Sequence, residues 1–314
     1  MRENLYEFYG YRVLCTAPTE AEAMVGRLFG APLPPDAMGL TPPAAQTVHL
    51  SVELSDTDRA PVPPPYFPPG WDTTDEVVLD TASSRAVVYP ARWTVRVTLA
   101  RSDLADPVVW GRWLLEKAFL VLTLRSENHY GLHAGALSVD GRAALVTADS
   151  GVGKSTFTAW GLFKGAAFGG EDAMMRHLDD AEPRFWGYPR CAYLDPALIK
   201  SRPELAEAPA APVPARDKSR VEWPALYENR LRPAMRPRAL LVLTRQHESV
   251  RALDVDAVLD LCRSDFAAGK SSPAALERVE SDLRGLLSDL AVLEFGLTPD
   301  LDTNFERLAA VLHG

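Results

Sequence analysis

Apolar and polar positions alternate through much of the first hundred residues. In TVHLSVEL, Thr47 to Leu54, the apolar residues Val48, Leu50, Val52 and Leu54 recur at every second position. That is the period of a strand with one buried face. YRVLCTA from Tyr11 and AVVYPARWTVRVTLA from Ala86 carry similar strand signals. Between them lies PVPPPYFPPG, Pro61 to Gly70, with six prolines in ten residues. Such density rules out helix and central strand alike and predicts an extended surface connection.

The period changes at PVVWGRWLLEKAFLVLTLRSE, Pro107 to Glu127, whose length and spaced apolar residues predict a buried helix. Trp110 and Trp113, at i and i+3, belong to its core face. HAGALSVDGRAALVTA, His133 to Ala148, is two apolar runs around Asp140-Gly141, which predicts a β-hairpin. STFTAWGLFKG then reads as a short helix stopped at Gly165, and AAFGG as a strand ending at Glu171-Asp172. RPELAEAPAAPVPA, Arg202 to Ala215, has the low complexity of a mobile loop and leads into RDKSR. RALLVLTR from Arg238 is a buried strand, SPAALERVESDLRGLLSDL from Ser272 a helix, AVLEFGL from Ala291 a last strand, and a helix follows it. No internal repeat is evident.

The pattern divides the 314 residues into a mostly β N-terminal domain (1–105), a connecting helix (106–128) and an α/β domain (129–314). With 47% hydrophobic residues, the chain has material for a sizeable core. The formal charge of -9 argues against a general nucleic-acid partner, which needs a concentrated basic face. The three cysteines, Cys15, Cys191 and Cys262, stand far apart, with neither metal-ligand nor disulfide-framework spacing. No apolar run approaches the length of a membrane span, and the N-terminus lacks a secretion pattern. The expectation is a cytoplasmic protein with no membrane partner.

Candidate chemistry centres on ADSGVGKS, Ala148 to Ser155. The phosphate-loop pattern G-x-x-x-x-G-K-[ST] is met except that Ala148 stands at its first glycine. A glycine-rich turn between strand and helix aims backbone N–H groups at a phosphate, and the helix dipole adds to the field. Ser150, Gly151, Val152, Gly153, Lys154, Ser155 and Thr156 are therefore the expected nucleotide contacts. Lys154 would meet the terminal phosphates and Ser155 a magnesium ion. Phosphoryl transfer also needs carboxylates for the metal and for the acceptor's proton, and Glu171 and Asp172 end the next strand.

Together these residues resemble the catalytic domain of HPr kinase/phosphorylase and related proteins. His133 lies 15 residues before Ala148 (148 minus 133), and Asp172 lies 18 after Lys154 (172 minus 154), spacings similar to those of the family. The Lys164-Gly165 pair also falls where the family has a basic residue and glycine. The likeness runs from His133 to Asp172, with a weaker part at the C-terminus. It implies a fold with a P-loop core akin to phosphoenolpyruvate carboxykinase, ATP and magnesium as cofactors, oligomerisation, and a serine hydroxyl as acceptor. Position by position, Ser150, Gly151, Gly153, Lys154 and Ser155 match the loop, His133 the histidine near the phosphates, and Asp172 the second acid. Glu171 stands where the family has aspartate. The glycine-rich segment that follows the acid pair in HPr kinases is replaced by GYPRCAYLDP, and the first hundred residues do not resemble the family's regulatory domain. The resemblance therefore points to stand-alone relatives that phosphorylate a serine of a peptide or small protein.

Arg190 and Lys218 are further candidates for contact with the transferred phosphoryl group or the substrate. Which acid takes the proton, and which serves the metal, stays open at this level. Two other readings keep the same core: a kinase acting on a small metabolite, and a nucleotide-binding regulator without transfer chemistry. A guanine-nucleotide switch has no support, because no N-K-x-D motif occurs.

Overall fold

The computed structural model describes residues 2–30, 47–65, 67–213 and 217–314. Tyr66 of the proline-rich stretch and residues 214–216, at the end of the low-complexity segment and the start of RDKSR, lie outside the described residues. The chain is mixed α/β and divides into two units, one of residues 1–129 with 267–275, the other of 130–266 with 276–314.

The first unit is built on strands β1 (Arg2–Phe8), β2 (Tyr11–Ala17), β3 (Thr47–Ser55), β4 (Val77–Asp80), β5 (Arg85–Tyr89) and β6 (Thr94–Ala100), with helix α1 (Glu22–Phe29). Their order across one sheet is β1-β2-β3-β6-β5-β4. The pairings β2–β3 and β3–β6 are parallel and the rest antiparallel. The alternation in TVHLSVEL is realised, with Val48, Leu50 and Val52 buried. The run from Ala86 resolves into two strands. Pro90–Arg92 forms a 3-10 turn, Trp93 is left-handed at φ 49°, and the chain reverses there. The predicted helix after Pro107 winds as a π-helix over Val108–Glu116 and continues as α2 (Lys117–Arg125). Trp110 and Trp113 are core residues, as their spacing required.

The second unit contains β7 (His129–Leu132), β8 (Ala134–Val139), β9 (Arg142–Thr147), α3 (Lys154–Phe163), β10 (Ala167–Gly170), β11 (Met174–His177), β12 (Phe185–Gly187) and β13 (Cys191–Leu194). It continues with α4 (Pro196–Lys200), β14 (Ala210–Pro212), β15 (Ser219–Glu222), β16 (Ala234–Met235), β17 (Pro237–Thr244), β18 (Val250–Ala252), α5 (Val255–Ala267), α6 (Pro273–Ser288), β19 (Ala291–Gly296) and α7 (Leu301–His313), the last residue of α5 and the first three of α6 being counted with the first unit. The central sheet has the order β10-β8-β9-β17-β19-β18. Strands β9, β17 and β19 run parallel, and β8 pairs antiparallel with β9. The Asp140-Gly141 hairpin forms with both turn residues at positive φ, 48° and 79°, the torsions of a type I′ turn. A second sheet, β16-β12-β11-β7, and a third, β13-β15-β14, complete the unit.

The core between the central sheet and its helices gathers Leu137, Val146, Phe157, Leu162, Phe168, Leu241, Phe295 and Leu308. Ligands in open α/β sheets bind beyond the carboxyl ends of parallel strands. The loop after β9 lies at that end.

Residues 202–213 depart from a loose loop. Leu205 is buried, Ala210–Pro212 pairs with β15, and the Arg202 guanidinium lies 4.1 Å from the Trp160 ring centre and 4.5 Å from that of Phe163. Composition marks low complexity, but a few apolar and cationic anchors suffice to hold such a stretch down.

Candidate functional site

The site begins where β9 ends. The chain passes through Ala148 to Gly153 and enters α3 at Lys154. Gly151 and Gly153 have φ of 85° and 125°, torsions that L-residues rarely adopt. No side chain caps α3 at Gly153, so the first-turn N–H groups of a ten-residue helix are left for another partner. Arg245, just beyond β17, braces the outside of the turn by donating from Nε to the Val152 carbonyl at 2.7 Å.

Lys154 is 7% exposed. Its ammonium donates to the main-chain carbonyl of Glu171, and Asp172 Oδ1 lies 3.9 Å away. The same Asp172 oxygen is 3.3 Å from His133 Nε2. His133 and Asp172 remain partly open to solvent, with side chains 49% and 28% exposed. One partly exposed carboxylate thus sits between a buried ammonium and an imidazole at the mouth of the turn.

The neighbouring acid behaves differently. Glu171 is buried, and its Oε1 accepts the Tyr193 N–H of β13 at 2.8 Å. Its Oε2 is buried without a hydrogen-bond partner among the described residues. β10 ends at Gly170, and Glu171 and Asp172 lie in the bend after it, where the two carboxylates take separate partners.

Ser155 Oγ accepts from Lys218 Nζ at 3.0 Å, so Lys218 reaches the loop helix from just before β15. Arg190 is exposed, its carbonyl accepts from Trp223, and its guanidinium makes no hydrogen bond to the loop or acids among the described residues. Ser150 and Gly151 are exposed on the turn, and Val152, Gly153 and Thr156 are half-buried.

Pattern reasoning did not single out Asp265 of α5, whose Oδ2 accepts the His133 N–H at 2.9 Å. Burial pushes its carboxyl above the usual range, against the His133 bond and the positive charges of His133 and Lys154. No helix was predicted over this stretch, although the spacing of its buried residues Val258, Leu259, Cys262 and Phe266 carries the signal for one. Its meeting with His133 carries none.

Ser155 Oγ, the Asp172 carboxylate and the unpartnered Glu171 Oε2 are hard oxygen donors, the kind magnesium takes. No cluster of three or more His, Cys, Asp or Glu residues able to cage a metal occurs among the described residues. Magnesium needs no such cage, because it is bound through one or two carboxylates together with substrate phosphates. No helix among the described residues is long and apolar enough to cross a membrane.

No protein-family model matches the chain, and no curated protein matches it. Among solved structures, the HPr(Ser) kinase/phosphatase from Coxiella burnetii is similar over 58% of this chain and 88% of its own, at 10% identity and a TM-score of 0.33. The likeness is weak, and the functional reading rests on the geometry above.

Proposed function

We propose that the chain is a magnesium-dependent phosphotransferase that moves the γ-phosphoryl group of ATP to a hydroxyl, that of a serine in a peptide or small protein. The observation that carries this reading is the Asp172 carboxylate, held 3.3 Å from His133 Nε2 and 3.9 Å from Lys154 Nζ beside an uncapped helix N-terminus. Amides of the turn and of the first turn of α3 would receive the phosphate oxygens, and Lys154 would neutralise the terminal ones. Ser155 and Glu171 would hold magnesium, which supplies neutralisation of phosphate charge when bound. Asp172, partly open to solvent, accepts the proton of the attacking hydroxyl; His133 orients that carboxylate. Glu171 anchors the strand end to β13 through Oε1 and leaves Oε2 for the metal or its water. Lys218, already on Ser155, adds positive charge where the transferred group gains negative charge.

Calorimetric titration with ATP and a non-hydrolysable analogue, with and without magnesium, tests the reading on the wild type and Lys154→Ala. Binding that needs Lys154 and is strengthened by magnesium supports it. A folded protein that binds no nucleotide overturns it.

A further inference from the structure

We infer that Asp265 is a positioning residue: its carboxylate fixes the main chain of His133 and thereby holds the imidazole against Asp172. The consequence for turnover rests on the phosphotransferase reading; the positional part does not.

His133 stands between β7 and β8, which belong to different sheets. A residue at such a crossing lies outside both ladders, so its N–H and C=O need partners elsewhere. Two side chains provide them. Asp265 Oδ2 accepts the N–H at 2.9 Å, and Thr147 Oγ1, at the end of β9, donates to the C=O at 3.2 Å. The third hold is the ring itself, with Nε2 3.3 Å from Asp172 Oδ1. With both main-chain groups fixed, the Cα–Cβ direction is fixed, and the ring has only its two side-chain torsions left to reach Asp172.

Asp265 is suited to this task. It is half-buried on α5, and its helical neighbours Cys262 and Phe266 are packed in the interior. The carboxylate is therefore carried by an anchored element rather than by a loop. Placing an acid here costs desolvation, which shows in its raised pKa, and a neutral residue would avoid that cost. The carboxylate in turn accepts an otherwise unpaired amide and faces the positive charge of Lys154 and of His133 when protonated.

The test is carbethoxylation of His133 by diethyl pyrocarbonate, followed by peptide-resolved mass spectrometry at one fixed pH. Asp265→Ala is expected to raise the His133 rate several-fold, and so is Asp172→Ala, which removes the oxygen facing the ring. Asp265→Asn, which keeps an acceptor oxygen, is expected to react at the wild-type rate. A wild-type rate in Asp265→Ala overturns the inference, and so does an Asp265→Asn variant that reacts like Asp265→Ala. If the alanine variant does not fold, Asp265→Glu displaces the acceptor by a methylene: a raised rate supports the inference and a wild-type rate overturns it.

In turnover, Asp265→Ala should slow ATP hydrolysis or transfer about tenfold or more, since small displacements of positioned groups are costly, with analogue affinity unchanged. In a His133→Ala background the same substitution should have no further effect. Losses that add in the double variant overturn positioning in favour of a general structural brace. A wild type that binds no nucleotide sinks the phosphotransferase reading, while the modification rates still decide whether Asp265 holds His133.

Discussion

Ala148 occupies the place where the phosphate-loop pattern has glycine, yet its backbone does not require one. The non-glycine residues with positive φ among the described residues are Tyr9, Ala82, Trp93 and Asp140. Gly153, at φ 125°, is the opposite case. Gly153→Ala should cost on the order of 1–2 kcal/mol from the left-handed strain alone, and its methyl would stand 3.4 Å from Arg245 Nη2. A lowered midpoint in thermal unfolding and weakened nucleotide binding are the expected results. Ala148→Gly should leave nucleotide affinity unchanged and cost on the order of 1–2 kcal/mol, through the greater freedom of the unfolded chain and the loss of a methyl buried in the core. At Asp172 the expected effect is on chemistry rather than binding. Asp172→Asn should slow transfer about 10²- to 10⁴-fold, the range of a lost general base, while the calorimetric affinity for the analogue stays near wild type.

Elements are joined here by caps that local patterns do not announce. The C-terminal carbonyls of α2 lack helical partners, like those of any helix, and Lys270 supplies one from far along the chain. Its ammonium donates to the carbonyls of Leu124, Ser126 and His129 at 3.0, 2.6 and 2.5 Å. Burial lowers its pKa from 10.5 to about 8. Below about pH 8 both folded and unfolded chains hold the proton, and the cost of burying the charge is present in full. Between about 8 and 10.5 the unfolded chain keeps a proton that the folded chain has shed, so stability rises with pH over that window. The rise should be about 3 kcal/mol. Denaturant unfolding of wild type and Lys270→Met from pH 7 to pH 11 measures it. The wild type should gain relative to the variant as pH rises, and parallel curves would refute the assignment.

For the whole molecule, the net charge of -9 predicts poor affinity for nucleic acid. Non-specific phosphate binding is electrostatic, with Kd values of about 10⁻⁴–10⁻⁶ M for basic proteins at physiological salt. This chain should bind a DNA or RNA duplex more weakly than that range in a fluorescence anisotropy titration at that salt. At this scale the first unit shows how far sequence periods reach. The two-residue alternation of Thr47–Leu54 and the run from Tyr11 became neighbouring strands, because a half-buried strand repeats its chemistry every second residue. The run from Ala86 carried the strand period, but neither its break at Pro90 nor the antiparallel pairing of β5 with β6 across it was expected.

Hairpin, turn glycines, loop helix and the strand ending at the acid pair were all legible in the residue order, since each follows from torsions and periods within a few residues. Composition likewise bounded the charge and the cysteine chemistry. Folding alone separated Glu171 from Asp172, turning one carboxylate to the Tyr193 amide and leaving the other between His133 and Lys154. It also brought Lys218 to Ser155 across 63 residues and Asp265 to His133 across 132. Contacts of that range depend on strand order and on which helix face meets which strand end. No local repeat in the chain encodes either, so they emerge only when the sheets are assembled.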